Sequence, residues 1–434
     1  MPATAQRVEP SRAPAAPPPT RNDRAASEPP RDPRRLSSAA AFALLVSIAI
    51  SLLAGSSAPT PLYAIYQAQW GFSAITVTVV FGVYALAVLT ALLVLGRLSD
   101  HVGRRPVLLV ALVLQVVVMA VFATAGGVPE LLLARVLQGL STGAALGALG
   151  AGLLDLDRAR GTVANAVAPM TGTATGALVA AVLVQYLPAP THLVYVVLAG
   201  VFALQVAGVA LMAETAAPRP GARASLRPQF ALPAATRRPL LVAAPALVAS
   251  WSLAGFYASL GPALVRLVAG SDWIVLGGLA LFTLAGSGAL TVLLLGDADP
   301  QRMMGLGTLA LLAGVGVTLV ATLVSSAAVF FAGAVVAGAG FGGAFQGALR
   351  TVVPTAALHE RAGVVSIVFV VSYLAMGLPA IVGGMLVVDG GGLLVTAREY
   401  GAGAMVLAAL ALLGLVTGAR RERAPAAAGC TAAA

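Results

Sequence analysis

Two long uncharged segments joined by a short charged loop constrain this chain more than any other feature. Residues 74–95 form a run of 22 residues without a charged side chain, and residues 106–128 form a second run of 23. A bilayer core needs about 20 apolar helical residues, and only helices or closed barrels satisfy their backbone hydrogen bonds there. Both runs are therefore predicted to be membrane-spanning helices. The loop between them is predicted to be a tight turn at one membrane face.

The loop itself carries a spaced pattern of glycine, acid and arginine. The matching positions are Gly96, Leu98, Asp100, Gly103, Arg104 and Arg105. This pattern resembles the signature between the second and third helices of the major facilitator superfamily. In that family the loop clamps the two halves and helps to gate their movement, so the resemblance implies a gating loop here. The alternative is a basic cytoplasmic loop with no further role.

Composition places the whole chain in the membrane. It has 434 residues, of which 59% are hydrophobic and 10% charged, and its mean hydropathy is +0.94. These values indicate a multi-pass membrane protein in contact with the lipid bilayer. The single Cys430 excludes a disulfide framework and a thiol metal site. The net charge of +10 does not indicate nucleic-acid binding, because most of the arginines lie in the predicted loops and tails.

The remaining apolar runs bring the predicted spans to twelve. Their approximate bounds are 38–58, 74–95, 106–126, 130–154, 161–187, 191–213, 239–268, 273–295, 303–323, 327–353, 361–388 and 400–419. Residues 38–213 are predicted to form one six-helix bundle and residues 239–419 a second. Residues 214–238, with four Pro and five Arg, are predicted to be a cytoplasmic linker.

The two ends of the chain differ in composition from the spans. Residues 1–37 contain nine Pro and seven Arg, which predicts a disordered cytoplasmic tail. Residues 420–434 are predicted to be a second cytoplasmic tail. With both termini inside, 23 of the 26 arginines fall on the inner side, as the positive-inside rule requires. We expect a multi-pass protein of the bacterial inner membrane.

An internal repeat supports two related halves. At an offset of 201 residues, Arg160 falls on Arg361 and Pro61 falls on Pro262. Parallel six-helix repeats are typical of transporters with a substrate site between the halves. The resemblance to the major facilitator superfamily now covers residues 38–419. It implies an all-α fold of twelve spans, arranged as two pseudo-symmetric bundles around a central cavity.

The fourth span carries polar residues that point to the cavity. Arg135 and Gln138 share one helical face inside the bilayer, where an unpartnered charge is costly. Both residues match the family's R-x-x-Q-G motif, whose arginine assists proton transfer or binds an anionic group. We predict a coupling cluster of Arg135, Gln138, Glu130 and Asn165. The alternative is that Arg135 is an interfacial anchor close to Glu130.

The fifth span combines proline with small residues. Pro169, Gly172 and Gly176 lie on one face with Asn165, which favours close helix packing and a bend. The family's antiporters carry a glycine- and proline-rich motif here, but two of its glycines are missing from this sequence. Packing alone explains these residues equally well.

Aromatic and amide side chains mark the second half. Trp251, Tyr257, Gln346 and Tyr373 lie on otherwise apolar helices, which predicts a pocket for amphipathic organic molecules. Simple core packing remains the alternative for each residue. The three His residues lie in or beside loops, so no intramembrane metal site is predicted. The sequence contains no GxxxxGK[ST] motif and no plausible Ser–His–acid set, which argues against an ATP motor and a hydrolase.

These observations predict a transporter rather than an enzyme. We expect a monomeric secondary transporter without a cofactor that exports small amphipathic drugs or metabolites by alternating access. A proton gradient is the expected energy source, coupled through Glu130, Asp100 or Asp155, or through Arg135 and the substrate. The alternative is an uptake symporter or facilitator for a small metabolite, with Arg135 binding the substrate if it is anionic. A transporter-like membrane sensor is the more remote alternative.

Overall fold

The structure, a computed structural model, describes residues 35–430, with side chains up to residue 417. Twelve helices in this part are long and apolar enough to cross a membrane, as predicted. They are α1 Ser38–Ser57, α2 Ala74–Leu95, α3 Arg104–Ala123, α4 Val128–Leu156, α5 Arg158–Tyr186, α6 Pro190–Leu211, α7 Ala234–Ser259, α8 Ile274–Leu294, α9 Pro300–Val324, α10 Ala327–Val352, α11 Arg361–Asp389 and α12 Leu393–Cys430. The predicted tail at residues 1–37 lies almost entirely outside the described residues. Residues 431–434, at the end of the predicted tail 420–434, also lie outside the described residues.

Two of the predicted boundaries need correction. The seventh predicted span, 239–268, is two helices, because α7 ends at Ser259 and a separate helix runs over Gly261–Ala269. Pro262 has no backbone N–H and therefore suits the first turn of that second helix. The last span begins at Leu393 rather than residue 400 and continues to Cys430. The charged pair Arg398 and Glu399 therefore lies inside this helix rather than in a loop.

Polar side chains fix where several spans begin. Ser37 accepts a hydrogen bond from Ala40 N at 3.2 Å at the start of α1. Asp157 accepts one from Arg160 N at 2.9 Å before α5, and Asp299 accepts one from Arg302 N at 2.9 Å before α9. Each cap satisfies a backbone N–H that the helix itself leaves without a partner. The charged turns between spans therefore also define the helix ends.

The helices of the first half pack in the same pairs as those of the second half. The pairs α1/α5, α2/α4 and α3/α6 in the first bundle correspond to α7/α11, α8/α10 and α9/α12 in the second. Between the bundles, α5 packs on α8 and α2 packs on α11. Each helix of one bundle corresponds to the helix numbered six higher in the other, so α5 corresponds to α11 and α2 to α8. The two contacts between the bundles are therefore equivalent. This relation is the pseudo-two-fold symmetry that the sequence repeat predicts.

Glycines allow the closest of these approaches. A Cβ atom on Gly139 of α4 would lie 2.6 Å from the Ala87 Cβ of α2. One turn further, a Cβ on Gly143 would lie 2.6 Å from the Ala91 Cβ. Small residues four apart thus let α2 and α4 approach to backbone contact, as in other membrane helix pairs. The same helix α4 carries Arg135 on its buried side.

The two bundles are joined on one side of the membrane. We call the side with the 96–105 loop the signature face and the other side the opposite face. Three hydrogen bonds between described residues connect the bundles, and all lie towards the opposite face. They join Thr60 Oγ1 to Ala258 O at 3.2 Å, Trp273 Nε1 to Tyr186 OH at 3.2 Å, and Ile274 N to Gln185 Oε1 at 2.9 Å. The protein is therefore closed at the opposite face.

Candidate functional site

Arg104 is the centre of the signature loop. It is 7% exposed, and its Nη1 donates to Ser99 Oγ at 2.9 Å and to the Asp100 carboxylate. Its Nε donates to Asp155 Oδ2 at 3.2 Å, at the end of α4. One guanidinium thus ties the loop to a second helix end through charge-assisted hydrogen bonds. The predicted gating residues Asp100 and Arg104 are brought together within one bundle.

A residue that sequence reasoning missed completes this loop. Glu214 Oε1 accepts a hydrogen bond from Arg104 N at 2.8 Å, and its Oε2 accepts one from Arg105 N at 3.0 Å. The carboxylate therefore caps the N-terminus of α3, where the helix dipole favours a negative charge. Gly103 has a φ of +99°, and a Cβ atom there would lie 2.6 Å from Glu214 Oε2. Gly103 thus provides both the turn and the room for the cap.

The first part of the linker lies on the same loop. His101 Nδ1 lies 3.0 Å from Pro220 O, and Arg219 N donates to His101 O at 2.8 Å. Thr215 Oγ1 donates to Asp155 Oδ2 at 3.3 Å. The only sequence signal for this contact is that Glu214 is the first acidic residue after the sixth span. The loop, the end of α4 and the linker consequently form one connected polar structure.

Arg135 is fully enclosed in the first bundle, with an exposed fraction of 0%. Its Nη1 donates to Ser56 O and to Gln138 Oε1, both at 2.8 Å. Its Nε and Nη2 donate to Tyr63 OH at 3.2 and 2.5 Å. Its Cζ lies 5.2 Å from the ring centre of Tyr84, and 5.8 Å from the rings of Tyr63 and Phe122. The charge is stabilised by oxygens and aromatic faces.

This environment changes the predicted coupling cluster. Among the described residues no carboxylate forms an ion pair with Arg135, and Glu130 is exposed at the start of α4. Glu130 is therefore corrected from a partner of Arg135 to a surface residue. Gln138 does join Arg135, and its Nε2 donates to Gly55 O at 3.0 Å. Asn165 lies apart and donates to Gly150 O at 3.0 Å, between α5 and α4.

The packing residues of α5 face the first helix. A Cβ atom on Gly172 would lie 2.9 Å from Leu53 Cβ, and one on Gly176 would lie 2.6 Å from Ser57 Oγ. Pro169 lies inside the helix one turn earlier. These contacts hold α1 and α5 close together beside the Arg135 network.

An aromatic cluster in the second bundle brings together residues from three helices. Its members are Trp251 of α7, Phe341 and Phe345 of α10, and Phe369 and Tyr373 of α11. The predicted pocket residues Trp251 and Tyr373 are neighbours, with ring centres 5.2 Å apart. Gln346 follows Phe345 and is partly exposed.

Tyr257 does not join this cluster. Its hydroxyl lies 3.3 Å from Thr318 Oγ1, its ring centre lies 5.7 Å from that of Phe330, and it is 2% exposed. These contacts hold Tyr257 inside the second bundle against α9 and α10. Its predicted role in the pocket is therefore corrected to core packing.

A cavity of about 140 Å³ lies between the bundles at the opposite face. Its lining includes Tyr63, whose hydroxyl binds Arg135, and Arg266. Burial lowers the pKa of the Arg266 guanidinium, while Asp272 acts in the opposite direction. Burial also raises the pKa of nearby Tyr66 to about 12, so that its phenol stays protonated. Tyr63 thus lies between this cavity and the enclosed Arg135.

Comparisons with known proteins agree with this architecture. The sequence profile of the Major Facilitator Superfamily matches residues 44–378. No match is found among curated protein sequences. The fold is similar to that of a bacterial homologue of the human lysosomal transporter Spinster, solved in an inward-facing and unoccupied conformation. The TM-score is 0.71 at 14% identity, over 89% of this chain and 98% of that one.

Two structures of the nucleoside transporter NupG share the fold as well. A single-residue mutant of NupG gives a TM-score of 0.64 at 11% identity, over 87% of this chain and 98% of that one. NupG itself gives 0.61 at 12% identity, over 87% and 97%. Identities this low show the fold alone. Because the family profile covers most of the twelve spans, this chain belongs to the major facilitator superfamily.

Proposed function

We propose that this major facilitator protein is a secondary transporter that exports small amphipathic organic molecules by alternating access, driven by an inward proton flow. The observation that carries the proposal is the chemistry of the aromatic cluster. Five aromatic rings meet beside the other bundle, and none of these side chains is charged. An apolar wall with a few polar groups suits amphipathic ligands.

The contacts of Arg135 weigh against the rival proposal of an anion carrier. Three of its nitrogens already donate to neighbouring oxygens, and three aromatic rings surround its Cζ. An anionic substrate would have to displace Tyr63 or the Ser56 carbonyl to reach it. We therefore propose that Arg135 acts in energy coupling, through the α1 and α2 residues that it contacts, rather than in the binding of substrate.

The proposed transport cycle uses the two faces in turn. Opening of the opposite face requires the α5/α8 and α2/α11 contacts to separate there, with loss of the Trp273–Tyr186 and Thr60–Ala258 hydrogen bonds. The signature face would close in exchange. Movement of two rigid repeats around a fixed mid-membrane site is the usual form of alternating access.

Asp100 and Asp155 are the carboxylates that we propose to respond to protons. Both accept hydrogen bonds from Arg104 at the signature face. Protonation of Asp155 removes the charge that joins Arg104 to the end of α4, and protonation of Asp100 removes the ion pair within the loop. The proton activity at the signature face would in this way bias the position of the signature loop.

A transport assay tests this proposal. Cells that express the chain should extrude Nile red, an uncharged amphipathic aromatic dye, faster than cells with the empty vector. A protonophore should abolish the difference. Extrusion that persists with the protonophore would contradict proton coupling, and unchanged dye efflux would contradict the proposed export.

We also predict that both chain ends and the linker face the cytoplasm. The prediction rests on the arginine distribution. Ala224 in the linker and Ala68 on the opposite face are both exposed, so each can be replaced by Cys in a Cys430→Ser background. A membrane-impermeant maleimide added to intact cells should label Ala68→Cys and leave Ala224→Cys unlabelled. Labelling of Ala224→Cys alone would reverse the proposed orientation.

A further inference from the structure

Three polar atoms on α7 and α11, the helices that carry Trp251 and Tyr373, are buried without a hydrogen-bond partner. They are Trp251 Nε1, Ser250 Oγ and Ser372 Oγ. Ser250 and Trp251 are consecutive on α7, and Ser372 precedes Tyr373 on α11. Buried polar groups are normally paired, and an unpaired one is costly. Trp251 Nε1 lies within the aromatic cluster itself, and this unpaired donor indicates a site whose partner comes from a bound molecule.

The rings around these atoms have the geometry of a stacking site. The Trp251 ring centre lies 5.1 Å from Phe345 at 79°, and 6.1 Å from Phe341 at 73°. Tyr373 is tilted by 42° at 5.2 Å. Edge-to-face and offset arrangements of this kind are those that aromatic rings prefer. An added planar ring could adopt the same arrangement against Trp251.

The cluster lies where the bundles meet. Tyr373 belongs to the same apolar core as Tyr84 of the first bundle, and α11, which carries Tyr373, packs on α2, which carries Tyr84. Trp251 and Phe345 are only partly buried against that core. A molecule bound here would therefore contact the helix pair α2/α11, which joins the two halves.

The polar and charged groups near the cluster determine which class of ligand can bind there. Trp Nε1 is a donor only, so it requires an acceptor atom. The charged group beyond Tyr84 is Arg135, whose Cζ lies 5.2 Å from that ring. A cationic ligand would face this positive charge and an N–H dipole. An anionic ligand would lose its water without a free cation to bind.

We infer that the aromatic cluster is the substrate subsite and that it takes an uncharged, planar aromatic molecule with a hydrogen-bond acceptor. That the bound molecule is a transported substrate rests on the proposed function, whereas its binding can be measured without transport. The acceptor pairs with Trp251 Nε1, and the ligand ring stacks among Phe345 and Tyr373. Because Trp251 Nε1 is shielded, these rings must move to admit the ligand, and Tyr373 passes that movement to α2.

Equilibrium binding to the purified full-length protein tests the class of ligand. The probes share one ring size and differ in charge: benzamide, benzoate and benzyltrimethylammonium, with cyclohexanecarboxamide as the non-aromatic control. Binding is followed with radiolabelled probes, so that all three Trp residues are retained. Benzamide should bind most tightly, and cyclohexanecarboxamide should bind at least about threefold more weakly, because it cannot stack. Stronger binding of either charged probe overturns the inference, as does the absence of saturable benzamide binding.

Substitutions test the donor. Trp251→Phe keeps a ring and removes Nε1, and should weaken the binding of radiolabelled benzamide about three- to tenfold, the loss expected for one hydrogen bond. Trp70→Phe is the matched control, because Trp70 stacks on Tyr66 at the opposite face, and it should bind benzamide as the parent does. Unchanged affinity in Trp251→Phe overturns the proposed contact. If the probes bind as expected but Nile red is not exported, the subsite stands and the transport proposal fails.

Discussion

A disulfide between the bundles near the middle of the membrane should abolish transport, and a reductant should restore it. A Cβ atom on Gly286 of α8 would lie 3.9 Å from the Ala174 Cβ of α5. Disulfides require a Cβ–Cβ distance of about 3.5–4.5 Å, so the double variant Ala174→Cys with Gly286→Cys should cross-link under mild oxidation. Alternating access requires α5 and α8 to turn and slide against each other at this contact, and a covalent bond between the two helices restricts that movement.

The measurement separates locking from misfolding. Cys430, the single native cysteine, is replaced by Ser, and a protease site after residue 224 allows the halves to be cut apart. Halves that remain together on a non-reducing gel report the cross-link. Each single cysteine variant should transport with or without oxidant. A fully cross-linked protein that still transports would exclude the proposed movement of the bundles.

A second pair serves as an independent test across the related contact. A Cβ on Gly377 of α11 would lie 3.5 Å from the Ala85 Cβ of α2, also within disulfide range. The pseudo-two-fold axis relates α2/α11 to α5/α8, so both locks should have the same effect. Loss of transport in only one of the pairs would show that the halves do not move as rigid repeats.

The sequence predicts the number and order of spans because the bilayer imposes a minimum apolar length. It does not predict contacts between helices. Arg135 and Gln138 are found together because both lie on α4 at helical spacing, whereas Tyr63 is 72 positions away from Arg135. Glu130, one turn before Arg135, is near in sequence but lies on the exposed end of the helix.

Contacts between helices also decide which of the predicted pocket residues lie together. Trp251 and Tyr373 were predicted separately from two helices, and only packing of α7 on α11 brings them together. Tyr257 lies almost two turns after Trp251 and has similar chemistry, yet its side chain enters the interior of the bundle. The cap by Glu214 depends on the path of the linker, which no helical periodicity describes.

Replacement of Arg135 should also greatly reduce the transport rate. Two variants distinguish whether transport requires the charge of Arg135 or the shape of its side chain. Arg135→Met fills a similar volume without charge, so we expect it to insert and fold but to transport at least about tenfold more slowly. The reason is that Tyr63, Gln138 and the Ser56 carbonyl each lose a bond to a charged donor, worth roughly 1.5–3 kcal/mol. Removal of a buried charge also lowers the cost of insertion. The purified variant should therefore remain monodisperse.

Arg135→Lys tests whether a positive charge without the geometry of the guanidinium is sufficient for transport. A lysine keeps the positive charge, but its single ammonium cannot reproduce the planar fork that reaches Tyr63 on one side and both Ser56 O and Gln138 on the other. We therefore expect the Lys variant to transport as poorly as the Met variant. Both are compared with Arg266→Lys, since the Arg266 side chain donates to the Pro262 carbonyl and lies outside the Arg135 network. Transport is measured in proteoliposomes and normalised to the reconstituted protein. If Arg135→Lys transports at the parental rate, positive potential alone is required, and if Arg135→Met does so as well, the network serves only to pack the first bundle.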